Sequence, residues 1–111
     1  MANKNFIVIS KMLAYVDKIV DYTAGADKSA FFANTMLLEA CVFNLLQIGE
    51  IAGHLDEDFR KKYSEIPWSK IRGLRNRLVH DYEGVQFELL WQVVEGDVKS
   101  LKNQLQSINT P

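Results

Sequence analysis

A chain of 111 residues with a 48% hydrophobic and a 24% charged share has the size and make-up of one globular domain, spanning 1–111. A formal charge of −1 excludes wholesale coating of nucleic acid, and a single cysteine, Cys41, excludes an intrachain disulfide. No apolar run nears the ~20 residues that span a bilayer, and "MANKNFIVIS" lacks a long apolar segment with a cleavage site, so a cytoplasmic protein without a membrane partner is expected.

The apolar spacing is helical almost throughout. Ile9, Met12, Leu13, Val16, Ile19 and Val20 form one stripe of a first helix, which "TAGAD" (Thr23–Asp27) ends. Asp27 is a candidate N-cap for a second helix from about Lys28 to Leu55. Its apolar face is drawn from Met36, Leu37, Cys41, Leu45, Ile48, Ile51, Ala52 and Leu55. In "LDEDFRKKYSEIPW", Asp56 or Asp58 can cap a short helical turn, and Pro67 starts or just precedes a third main helix. That helix is interrupted at Glu83-Gly84. A fourth, from about Gln86 to Ser107, carries Leu90, Val94, Val98, Leu101 and Leu105, with Gly96 inside it read as a close-packing position. Long helices joined by short connections, each with one apolar face, predict an all-α, antiparallel four-helix bundle with a short extra helical turn.

Charge is polarised within this frame. Residues 60–77 hold seven bases (Arg60, Lys61, Lys62, Lys70, Arg72, Arg75 and Arg77) against one acid, Glu65. Such a patch can attract a polyanion although the total charge is near zero. The bland reading is a solvated basic turn.

The third helix carries "RGLRNRLVHDYEG" (Arg72–Gly84). On an ideal helix advancing about 100° per residue, Ile71, Leu74, Leu78, Val79 and Tyr82 form an arc toward the core, and Arg75 falls inside it. An arginine there needs a partner, and Glu50 in "QIGEIAG" is the candidate. Gly73, Asn76 and His80 share a different face. A glycine there lets another backbone approach, such as a two-fold copy of the same helix. Metal-free RNA cleavage suits these groups. It needs a base for the ribose 2′-OH proton, an acid for the leaving 5′-oxygen and a cation over the phosphorane. Histidine fits the proton transfers and an arginine fork fits the phosphoryl oxygens. Asn76 can orient the imidazole or donate to phosphate. No HExxH, paired-cysteine site, P-loop or GxGxxG occurs, so neither a metal nor another cofactor is expected. His54, in "IAGHLDED", reads as a helix-end residue.

Arg75-x4-His80-x-Tyr82 resembles the Rx4HxY motif of the HepT-like (DUF86) branch of the HEPN superfamily. "LLQIGEIAGHL" (Leu45–Leu55) is similar to that family's Ile-Gly-Glu signature, and "IPWSKIRGLRNRLVHDY" (Ile66–Tyr82) to its Ile-Pro-Trp lead-in. Trp91, Asp97 and Leu101 fall where its last helix carries a Trp and an Asp-x-x-x-Leu. The resemblance implies a HEPN bundle working as a two-fold homodimer with the motif helices at the interface. It implies a metal-independent endoribonuclease toxin with Arg75 and His80 catalytic and Asn76 supporting. It also implies an MntA-type nucleotidyltransferase antitoxin that transfers AMP from ATP to Tyr82. Lys70, Arg72 and Arg77 are then candidate RNA contacts, with Glu50 supporting. Where many relatives carry an aspartate soon after the motif tyrosine, this chain reads "EGVQFELLW", with Gln86, a change that bears on capping or partner docking. The competing readings are a non-catalytic nucleotide- or substrate-binding subunit of a minimal nucleotidyltransferase, and a purely structural dimerising bundle.

Overall fold

The computed structural model describes residues 3–78 and 86–108, and these residues are helical with no strand among them. In chain order the elements are α1 (Lys4–Thr23), α2 (Lys28–Ala33), α3 (Thr35–Ala52), α4 (Glu57–Lys62), α5 (Trp68–Arg72), α6 (Leu74–Leu78) and α7 (Phe87–Gln92). A π-helical turn (Val93–Asp97) then leads into α8 (Val98–Gln106). Helix α1 packs on α3 and α8, while α3 also carries α5 and α6. The expected stripe of α1 is buried at Ile9, Met12, Val16 and Ile19, and α8 buries Val98, Leu101 and Leu105. A Lys102–Asp17 ion pair at 3.0 Å ties α8 to α1.

The expected second helix is divided. Asp27 caps α2 by accepting from the Ala30 amide at 2.8 Å. The chain then turns extended at Asn34, which ends α2 and caps α3 by accepting from the Leu37 amide at 3.0 Å. Asparagine makes this local side-chain bond readily, so it restarts a helix where the apolar pattern runs on unbroken. Helix α3 ends at Ala52, and Leu55 is buried beyond it. Met36, expected in the apolar face, is instead 82% exposed, as is Phe43 at 59%. Cys41 is a core residue, and burial pushes its thiol up to about 11. By length and composition α3 is apolar enough to cross a membrane, with a mean hydropathy of 1.3 over 18 residues. Within the protein it packs on α1, α5 and α6 through buried Leu38, Leu45 and Ile48.

Asp56, not Asp58, precedes α4, but its carboxylate makes no bond to that helix. It pairs with Lys4 at 3.0 Å and accepts from buried Asn5 at 3.1 Å. Asn5 in turn accepts from the Asp56 amide at 3.0 Å, so a side chain of α1 serves as the cap of α4. The last predicted helix is present, broadened by the π turn. Gly96 lies in that turn, exposed, and a Cβ there would meet nothing within 4 Å, so it does not serve close packing.

Candidate active site

The stretch that carries the motif is anchored at its N-terminal end. Ile66 and Trp68 are buried on either side of Pro67, and the indole N–H of Trp68 donates to the carbonyls of Tyr63 at 3.1 Å and Arg60 at 3.2 Å. The hydrophobic pair fixes the entry angle of the chain, and the proline φ of −78° suits a helix start. Helices α5 and α6 meet at Gly73 (φ −87°, ψ 5°), with hydrogen bonds from Gly73 to Ser69 and from Arg77 to Gly73, both 3.0 Å, carrying the helical course across the joint.

Helix α3 approaches this stretch unusually closely. A Cβ on Gly49 would lie 2.8 Å from the Ile71 carbonyl oxygen. Gly49 is therefore the glycine that admits a neighbouring backbone. Gly73 faces its own preceding turn, where a Cβ would lie 3.2 Å from the Ser69 carbonyl. Within the chain, then, the close approach is at Gly49, while the approach of a two-fold copy expected at Gly73 concerns a second chain. The signal that would have found Gly49 is the small residue flanked by Ile48 and Glu50 on a long apolar helix.

The close approach creates a groove of about 550 Å³ lined by Leu46, Gln47, Gly49 and Glu50 of α3 together with Arg72, Arg75 and Asn76. Arg75 and Asn76, expected on separate faces, thus share one concavity. Arg75 is exposed and not part of a core arc, and Glu50 is exposed too. No buried ion pair joins them, since no Arg75–Glu50 contact falls within 4 Å. On the wheel Arg75 stands at the margin of the apolar arc, about 40° from Ile71, where a long side chain reaches the groove and solvent without a buried partner. Ile71, Leu74 and Leu78 are buried as that wheel had them.

The remaining cations divide. Arg72 faces the groove with Arg75, while Lys70 and Arg77 border a different cleft, on the side of α5–α6 toward the π turn and α8. The four cations of α5 and α6 are therefore two pairs on opposite flanks. His80 and Tyr82, the proposed proton-transfer and modification positions, lie outside the described residues. They follow Leu78 by two and four positions in the chain. Leu78, the last residue of α6, accepts from the Gln86 amide just before α7 at 3.0 Å. His54 sits exposed just past the end of α3, as read from the sequence. Among the described residues no cluster of His, Cys, Asp or Glu is arranged to hold a metal ion.

With the groove in place, comparison with known proteins is informative. The family described as Ribonuclease HepT-like matches residues 12–108. The chain is 33% identical over 97 residues to a Methanocaldococcus jannaschii protein named "Putative RNase MJ1380", covering 87% of this chain and 89% of that one. It is 29% identical over 100 residues to "Putative RNase TTE0752" of Caldanaerobacter subterraneus, covering 90% and 89%. It is 34% identical over 82 residues to "Probable ribonuclease HepT" of Thermococcus cleftensis, covering 74% and 68%. No solved structure matches the chain.

Proposed function

This chain belongs to the HepT-like ribonuclease family, and on that premise we propose that it is a metal-independent endoribonuclease, the toxin of a toxin–antitoxin pair. The observation that carries the reading is the groove. Three groups suited to phosphate and imidazole, Arg72, Arg75 and Asn76, converge with a carboxylate, Glu50, on the helix that leads into "VHDY".

In this reading the imidazole of His80 takes the proton of a ribose 2′-OH as the 2′-oxygen bonds to phosphorus. A protonated imidazole gives its proton to the 5′-oxygen as the P–O5′ bond breaks. The products are a 2′,3′-cyclic phosphate and a 5′-hydroxyl, so no net proton is consumed. Arg75 offers a planar fork to the phosphorane oxygens, where charge develops. Glu50, on the facing groove wall, offers the arginines a carboxylate within the same concavity, and Asn76 orients the imidazole or donates to phosphate.

The HEPN bundle works as a homodimer with the motif helices at the two-fold interface, where each of two sites combines Arg75 of one copy with His80 of the other, the same imidazole serving first as base and then as acid. Support comes from α3. Met36 and Phe43 are exposed apolar side chains, and with Glu50 they recur every seven residues along one face. A second copy seated there buries both and brings its groove beside the first. Tyr82 is the site at which a nucleotidyltransferase antitoxin adds AMP from ATP. The added phosphate sits two residues from His80 and neutralises the arginines that would hold RNA. The alternative, a nucleotide-binding subunit without catalysis, has no use for an intact Arg75–His80 pair.

Mixing Arg75→Ala and His80→Ala protomers tests the shared cleft. Each homodimer is inactive, and the mixture recovers cleavage because one of its two sites keeps both groups. A mixture as inactive as its parents contradicts a composite site.

A further inference from the structure

The motif helix has a second flank, and the groove does not use it. There α5–α6, the base of α3 and the π turn leading into α8 enclose a cleft of about 140 Å³. Its floor is apolar: Ile71 and Leu74 on one wall, Val93 and Val98 on the other, Leu45 beneath. The π turn builds the second wall. The Val98 amide bonds back to the Val93 carbonyl, five residues earlier, so both valines face the cleft one above the other with Asp97 beside them. Such turns are rare and recur at functional sites. One end is closed by Gln104, whose amide donates to the Glu65 carbonyl at 3.3 Å.

The rim is charged in a particular order. Lys70 and Arg77 stand at the two ends of the α5–α6 wall, with Ile71 and Leu74 between them. Asp97 stands on the opposite wall, and it makes no ion pair with either cation within 4 Å. An apolar cleft flanked by two cations and faced by one carboxylate suits a ring with N–H donors on its edge and an anion attached. A cavity of roughly this volume holds a benzene-sized ring. We infer that the cleft seats a base of the RNA substrate, with the ring on the valine and leucine walls, its phosphate at Lys70 or Arg77, and Asp97 accepting from an N–H on the ring edge. The inference rests on the proposed function for its substrate. It adds a route across the protein: Arg75 and Arg77 are two residues apart on α6 yet face the groove and the cleft respectively. A strand whose scissile phosphate lies at Arg75 crosses α6 and delivers a neighbouring nucleotide to the cleft. Arginines on both flanks guide the backbone, and the slot reads one base.

The test is a binding titration with the His80→Ala protein, so that the strand survives. A short fluorescent RNA is compared with versions carrying a single abasic site at each position in turn. Loss of the seated base weakens binding on the order of ten-fold, at one position, as expected of one base–apolar contact. Ser100→Trp, an exposed rim residue whose new indole fills the slot, removes that dependence while leaving the helical signal intact. A flat abasic series overturns the inference. So does a position-specific loss that persists in Ser100→Trp. Failure of the ribonuclease reading is scored separately, as intact RNA after incubation with the unmutated chain.

Discussion

A Cβ added to Gly49 would stand 2.8 Å from the carbonyl oxygen of Ile71 and 3.8 Å from the Cβ of Leu74. Helix α3 therefore meets the motif stretch at a point where only a hydrogen atom fits. The next residue, Glu50, is thereby set on the groove wall facing Arg72, Arg75 and Asn76. The Ile-Gly-Glu signature reads as three instructions: bury Ile48, close the gap at Gly49, present Glu50.

Gly49→Ala pushes the two backbones apart at a contact with no flexible side chain to yield. A destabilisation of about 1–3 kcal/mol is expected, measured by chemical denaturation, together with reduced RNA cleavage as the groove widens. Gly96→Ala is the control: its Cβ enters open space and its φ is not positive, so it stabilises by about 0.5–1 kcal/mol. Equal effects of the two substitutions would contradict the packing argument.

Acid sensitivity follows from the clamp between α1 and α4. Hydrogen bonds from Lys4 and then Asn5 hold the Asp56 carboxyl below its usual 3.8. A depressed carboxyl stabilises the fold above its unfolded value, and that contribution is lost as the pH falls through the folded value. Denaturation midpoints of the native protein and Asp56→Asn should therefore differ at neutral pH and converge as the pH falls below 3.8 and through the lowered folded value. A difference that is unchanged by acid would show that the pairing contributes nothing.

Phe43→Glu places a charge in the centre of the exposed α3 stripe without touching the core. Light scattering should report a monomer with unchanged helical content, and cleavage should be lost if, as proposed, each site is built from two copies. A dimer that survives the substitution would move the interface elsewhere.

Tyr82→Phe removes the hydroxyl proposed to accept AMP and keeps the ring. Cleavage should persist, and addition of the nucleotidyltransferase with ATP should neither silence it nor add the mass of AMP. Silencing accompanied by that mass would place the modification on another residue.

Much of this was readable from residue pattern. The stripes of α1 and α8, the Asp27 cap, buried Cys41 and the buried Ile71–Leu74–Leu78 line follow from apolar spacing and short-range side-chain bonds. What escaped the pattern has identifiable causes. Asn34 restarts a helix through a bond that leaves the apolar spacing undisturbed. Arg75 lies at the margin of the buried Ile71–Leu74–Leu78 arc, and its side chain is exposed at the groove instead of facing the core. Met36 satisfies a core periodicity yet is 82% exposed, because apolar spacing marks a helix face and not what covers it. The division of Lys70 and Arg77 from Arg72 and Arg75 depends on which neighbouring helix each flank meets, information that a charge count lacks.

The central claim is that Arg75 and His80 cleave RNA without a metal. It is tested most directly by incubating a 5′-labelled RNA with the purified chain and with His80→Ala, both in excess chelator. The account predicts cleavage by the unmutated chain to fragments ending in a 2′,3′-cyclic phosphate, and intact RNA with His80→Ala of unchanged helical content. Cleavage retained by His80→Ala, or cleavage that stops in chelator, would contradict it.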